Sequence, residues 1–411
     1  ALTEAGTLGQ LQSLASLIVE NNSSMTSLPQ MPMLSSIDGV TIQNNASLQN
    51  LAGLGNLSWN KDQLVIKNNA SLQSLNGLGQ LMRNDRSIFI ENNSQLGNIH
   101  DLNSLEICSV SLKISGNPML ESLAGLEALT HIGLDFVIDN NLSLQEMTSF
   151  LNLNHIGATL QISNNPQLVS VGGMEQLDSL GTDLNIYGNP SLVSLEGLAG
   201  LRSIAGNLLL SNNALLHHLG GLHHLEHIGS NLFLNGTQLY NIEALSNVSY
   251  IGRLVVTYNP RLESLLPLSG AYIETPQLQI HINQNLSQCH AFPICQLLEQ
   301  NPQTNIHGNA SGCMSEAEIR AACESSFVPQ GPSKPRPWLY PNPASHYVCL
   351  DEDRAASINH VILYRLSGQK AAKIPLNGNC FSVSHLPEEI YLIQRPSPEK
   401  GISPGLIILR Q

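Results

Sequence analysis

A chain of 411 residues is long enough for two or three domains. Only 12% of the residues are charged and 4% aromatic, so the surface must be mostly Asn, Ser, Gln and Gly. The net charge of −13 lies wholly in residues 1–278, with 8 Lys+Arg against 21 Asp+Glu. Residues 279–411 balance at 10 against 10. With no basic stripe, nucleic acid and anionic membranes are poor partners, and no apolar run approaches the ~20 residues of a transmembrane helix.

The chain opens at Ala1 with neither Met nor a signal peptide, and Leu8, Leu11 and Leu14 read as the tail of an incomplete repeat. The expectation is that a leader has been removed or an upstream part is absent, and that this end has no cap. A unit of 24 residues then takes over. Its cleanest copy is Leu64 to Ser87, LVIKNNASLQSLNGLGQLMRNDRS; earlier and later copies start at Val40, Ile88, Leu112, Phe136, Leu160, Leu184, Leu208 and Leu232. A copy of 22 brings the frame to Leu254, and the next starts at Leu278.

Numbered from 1, the copies carry apolar residues at positions 1 and 3, then at 9, 12, 15, 18 and 21, with Arg83 to Ser87 breaking the end of the Leu64 copy. The first pair is strand spacing. The row at every third residue fits neither an α-helix nor a long strand, but suits short extended or 3₁₀ pieces. One copy cannot bury its own apolar row, whereas stacked copies bury a continuous one. Position 6 is Asn almost throughout: Asn22, Asn45, Asn69, Asn93, Asn117, Asn141, Asn165, Asn189, Asn213, Asn259 and Asn283. An inward amide can bond buried main-chain groups of its own and neighbouring coils. The Asn or Gly usually before it tolerates a left-handed turn. Thr237 replaces the Asn in the Leu232 copy, which predicts a local break.

The pattern LxIxxNxxLxxLxxL resembles the leucine-rich repeat, and its GL..L..IG endings and NNPSL or NNASL turns are similar to the receptor L-domain variety of secreted bacterial proteins. The resemblance covers roughly residues 17–325. It implies a mainly β, right-handed solenoid with one long parallel sheet from positions 1–4.

Residues 1–277 are thus expected to form the solenoid, and 278–325 a cap. In the cap, PICQLLEQ from Pro293 reads as a short helix with Pro near its start. Ser315 followed by Glu318 has capping-box spacing before a terminal helix to Cys323. Cys289, Cys295, Cys313 and Cys323 read as a disulfide staple, with Cys289–Cys313 and Cys295–Cys323 the favoured of three pairings. Cys108 falls on an inward slot and reads as a small core residue.

A Pro-rich linker, 326–337, leads to a tail, 338–411, without repeats. HYVCL, HVILYRL, FSVSHL, EIYLIQ and GLIILR read as strands of a small β-sandwich, two of them carrying Cys349 and Cys380, which could pair. YPNPA at Tyr340–Ala344, LYRLSGQKAAKI around Gly368, LPEEIYLIQ around Tyr391 and the terminal LIILRQ resemble the C-terminal sorting domain of type IX secretion cargo. Glu389 stands where that family usually has Gly. The resemblance implies export by the type IX machinery across a Gram-negative outer membrane, then often removal of the tail and surface attachment.

No Ser/His/Asp order, paired carboxylates, phosphate loop or HExxH motif stands out, so the sequence reads as a non-enzyme without a cofactor. His217, His218, His223, His224 and His227 crowd eleven residues, but their positions point along different edges; a polar rim is the better reading than a metal site. NxS/T triplets at Asn45, Asn69, Asn141, Asn247, Asn285 and Asn309 largely coincide with structural turns. Position 2 points outward between inward 1 and 3. It reads Thr41, Val65, Phe89, Lys113, Val137, Gln161, Asn185, Leu209, Phe233 and Val255, and position 4 adds Glu91, Asp139 and Tyr187. Such an apolar outward row marks either a contact surface or merely the residues that strands favour. The functional expectation is a secreted, surface-displayed protein that recognises a protein or glycan through this sheet. The alternative is a structural protein whose solenoids self-associate into a coat or filament through an unpaired edge.

Overall fold

The computed structural model describes residues 6–326 throughout and seven strand segments between Leu339 and Ile408. By internal contacts the chain divides into two units, Ala1–Ser326 and Phe327–Gln411.

The first unit is a β-solenoid. Position 1 of each coil pairs in parallel with position 1 of the next, from Leu17 in β1 (Leu14–Glu20) and Val40 in β2 (Ser36–Gln43) onward. The column runs through Leu64, Ile88, Leu112, Phe136, Leu160, Leu184, Leu208, Leu232, Leu254 and Leu278 to Thr304. The 24-residue spacing and the 22-residue copy are therefore real structural steps. Short strands at positions 20–21, such as Arg83–Asn84 and His131–Ile132, form a second line in the same 21-stranded sheet. In β2, His227–Asn235 and Tyr250–Thr257 the two lines merge into one strand.

The every-third-residue row curls as expected through extended pieces and 3₁₀ turns such as Ala52–Leu54 and Glu196–Leu198. Position 11 starts these turns. Asn50, Ser122, Ser194 and Ser264 each accept the N–H two residues on, at 3.0–3.2 Å. Inward Leu and Ile at positions 1, 3, 9, 12, 15, 18 and 21 are essentially solvent-free, and Phe136 meets Phe150 edge-to-face at 5.2 Å. Cys108 is buried, and burial pushes its thiol up to about 12, so it is an inert core residue.

The Asn column is an amide ladder with one break, at Thr237. Except at Asn213, whose next coil carries Thr237, the main-chain N–H donates to the Oδ1 of the next coil's Asn at 3.0–3.1 Å, as in Asn69 to Asn93 and Asn117 to Asn141. Each Nδ2 donates to the position-3 carbonyl of the preceding coil, as Asn69 to Ile42 and Asn141 to Ile114. Asn44, Asn68, Asn92 and Asn140, just before ladder residues, have φ of 54–58°, the left-handed turn the sequence requires. At Thr237 the amide run is interrupted, and the Thr hydroxyl donates to Asn259 Oδ1 at 2.6 Å. Asn45, Asn69, Asn141 and Asn309 are buried, so those triplets are structural.

The cap holds both favoured disulfides, Cys289–Cys313 and Cys295–Cys323. Helix α1 (Phe292–Glu299) has Pro293 in its first turn, and α2 (Glu316–Ser326) runs three residues past Cys323. Ser315 Oγ accepts the Glu318 N–H at 3.3 Å, while the Glu318 carboxylate turns back to the N–H groups of Gly312 and Met314. Between the helices, Gln303–His307 adds a last parallel strand that the sequence reading did not anticipate. Asn309 sits at position 6 of that coil and terminates the ladder by accepting from Asn283 and donating to Cys313 O.

The second unit contains two antiparallel sheets, of three and four strands. Leu339–Tyr340 and Lys370–Pro375 join the anticipated strands. Cys349 and Cys380 are register partners, but their side chains lie outside the described residues, as do Gly368, Glu389 and the 341–344 part of YPNPA.

Candidate binding surface

The outward sheet row is in register but less open than alternation alone implies. Val65, Phe89, Lys113, Val137, Gln161, Asn185, Leu209 and Phe233 are half-buried, and Val255 is only 7% exposed, which removes it from any contact surface. Alternation sets the direction of a side chain, not its depth; neighbours one strand spacing away shield both its flanks. Lys113 separates Phe89 from Val137, and Gln161 with Asn185 separates Val137 from Leu209. Val65 is next to Phe89, and Leu209 to Phe233 and the buried Val255, so the row holds two apolar runs with Val137 alone between them.

Position 4 adds polar bonding to this face. Glu91 is 8% exposed and lies between Lys67 and Lys113, with both N–O distances 2.6 Å; Ser115 Oγ also donates to it. Burial works against its ionisation, but the hydrogen bonds and charges of Lys113 and Lys67 outweigh that and hold the carboxyl below its usual range. Lys67 Nζ also sits 4.5 Å over the Phe89 ring, so Phe89 is already covered by a cation. Gln161 Nε2 donates to Tyr187 Oη and Ser163 Oγ, both at 3.0 Å, and Asp139 accepts from Ser163 and Asn164. The face is therefore a half-buried apolar line edged by a bonded polar line.

The His-rich segment divides among separate contacts. His217 stacks on Tyr240 at 5.2 Å, and Arg261 reaches both. His223 lies against His224 at 4.2 Å, and His227 stacks on Tyr250. Elsewhere, His131 stacks on His155 at 4.4 Å; burial, then the His155 charge, lowers its affinity for a proton. Among the described residues no group of three or more His, Cys, Asp or Glu is placed to hold a metal ion. A shallow recess at the cap, lined by Thr275–Gln277 and Gln300–Gln303, contains no ionising side chain.

No family model matches this chain, and no curated protein matches it significantly. What fold and surface define is a β-solenoid of stacked coils with a disulfide-stapled end. Its disulfides suit an oxidising, extracellular environment. No helix among the described residues is long and apolar enough to cross a membrane.

Proposed function

We propose that this is a secreted recognition protein of the leucine-rich-repeat, receptor L-domain-like kind, which binds an extended protein or glycan along its sheet. One observation carries the reading: an uninterrupted parallel sheet whose outward row stays in register from Ile18 to Gln279. Phe89 and Phe233 lie six coils apart, or about 29 Å at ~4.8 Å per coil. Such a span suits a macromolecule better than a small molecule, which wants a concave pocket.

The tail supports display at the outer-membrane surface through type IX export, by the sequence resemblance alone. Continued export of a chain ending at Pro337 would contradict that role. Protein and glycan arrays probed with the full chain test recognition. The Phe89→Ala/Phe233→Ala double variant should keep its melting temperature within a few degrees and bind the array ligand at least about tenfold more weakly. Wild-type affinity in that variant would exclude the row as the site.

Self-association is the second reading. The outward Ile18 of β1 is 64% exposed, an apolar side chain that a second copy could cover. Long assemblies on sizing and electron microscopy would favour it; a monomer would dismiss it.

A further inference from the structure

The short-strand line carries a cluster unlike the rest of the solenoid. Trp59 is 40% exposed; Lys61, Arg83 and Asp85 contact its indole, and Asp38, Asp62 and Arg86 form ion pairs on the same three coils. Lys61 Nζ is 5.3 Å and the Arg83 guanidinium 6.0 Å from the indole centroid. The indole N–H donates to Asp85 Oδ2 at 2.8 Å, and Asp85 also pairs with Arg83. Lys61 pairs with Asp38 at 3.1 Å, and Arg86 with Asp62 at 3.4 Å.

Stability does not account for this arrangement. These pairs are solvent-exposed, and exposed ion pairs add little to stability. Nor is the cluster a sample of ordinary surface, because residues 114–201 contain no Lys or Arg at all.

The charges tied to Trp59 balance, Lys61 and Arg83 against Asp38 and Asp85, and Arg86 and Asp62 neutralise each other. An anion would need cations that are not already neutralised, and the −13 net charge of the chain repels it. A cationic ligand would meet Lys61 and Arg83 over the ring. What fits is a neutral ligand with an apolar face and a rim of groups that both donate and accept. A pyranose is such a molecule. Its C–H hydrogens carry partial positive charge and suit the negative face of an aromatic ring. Its hydroxyls match a rim where carboxylates accept and cationic N–H groups donate. Lys61 and Arg83 have half-exposed side chains that can swing from the ring to the sugar rim.

We propose that Trp59 and its ring of balanced charges form a subsite for a neutral oligosaccharide, with the indole stacked on one pyranose and Asp85, Lys61 and Arg83 bonding its hydroxyls. The proposal rests on reading the solenoid as a recognition protein, but not on the row of Phe89 and Phe233, which is a different line of the sheet.

The test is calorimetric titration of the full chain with gluco-, manno-, xylo- and chito-oligosaccharides, and with oligogalacturonate and a heparin fragment as anionic arms. At least one neutral oligosaccharide should bind. Its affinity should fall roughly tenfold in Trp59→Ala and recover in part in Trp59→Phe. It should change by less than about twofold between low and high salt, since no net charge is paired. Three results would overturn the proposal: no neutral oligosaccharide binds, only the anionic probes bind and do so with steep salt dependence, or binding survives Trp59→Ala. Loss in Phe89→Ala/Phe233→Ala with retention in Trp59→Ala would keep the sheet-row reading and dismiss this one.

Discussion

Asn141→Ala should destabilise the solenoid by about 2–6 kcal/mol, an effect out of proportion to the atoms removed. The Asn141 amide accepts the Asn117 N–H at 3.1 Å and donates to Ile114 O at 3.0 Å. It also reaches Asn165 Oδ1 at 3.5 Å. Residue 141 is fully buried, so water cannot replace these partners. Truncation orphans one main-chain donor and one main-chain acceptor, at roughly 1–3 kcal/mol each. Because coils contact mainly their neighbours, the loss should appear first as faster hydrogen exchange in the coils beginning at Leu112 and Phe136, and then as a lower urea midpoint. An unchanged midpoint would show that the amide is not the partner of these groups.

Removing the cap disulfides should have an effect of similar size. Cys289–Cys313 and Cys295–Cys323 close segments of 24 and 28 residues. By chain entropy each stabilises by about 3–4 kcal/mol. The bridges also hold α1 and α2 over the end of the core, where Ile294, Leu297, Leu298 and Ile319 are buried. The Cys295→Ser/Cys323→Ser double variant should expose this end, with faster exchange in α1 and α2 and a lower melting temperature, while the central coils keep their protection. Intact-mass measurement of the denatured native chain should find no free thiol among the four. Alkylation of all four without reductant would contradict the staple.

Much of this architecture was legible because each coil repeats the same physical problem. Asn69 and Leu72 mean little alone. Repeated every 24 residues, they fix the coil length, the inward row and the amide column. The staple was legible because four Cys crowd the solenoid's end, with Cys289 and Cys295 on inward slots, but the frame alone does not choose among the three pairings. Asn309 was missed because its coil is 26 residues on from the last and opens with Thr304 instead of Leu. The signal was nonetheless present: IHGN at Ile306–Asn309 matches ISGN at Ile114–Asn117 and IYGN at Ile186–Asn189.

The surface was less legible, since it depends on depth and on contacts between coils. Val255 and Glu91 point outward by alternation and are nevertheless buried by their neighbours. Lys67 covering Phe89 joins residues from adjacent coils, and Trp59 gains its ring of charges the same way; no single repeat contains either. Lys370–Pro375 carries little strand signal, because its Ala and Lys are poor strand formers, and pairing with His360–Arg365 supplies what propensity does not.

Residue-resolved hydrogen exchange on the full chain tests the stacked-coil account most directly. The structure predicts protection that repeats with the coil. Slow-exchanging N–H groups should recur at Asn45, Asn69, Asn93, Asn117, Asn141, Asn165, Asn189, Asn259 and Asn283, each of which donates to the amide of the next coil. Fast exchange at these N–H groups, or protection without the 24-residue period, would contradict it.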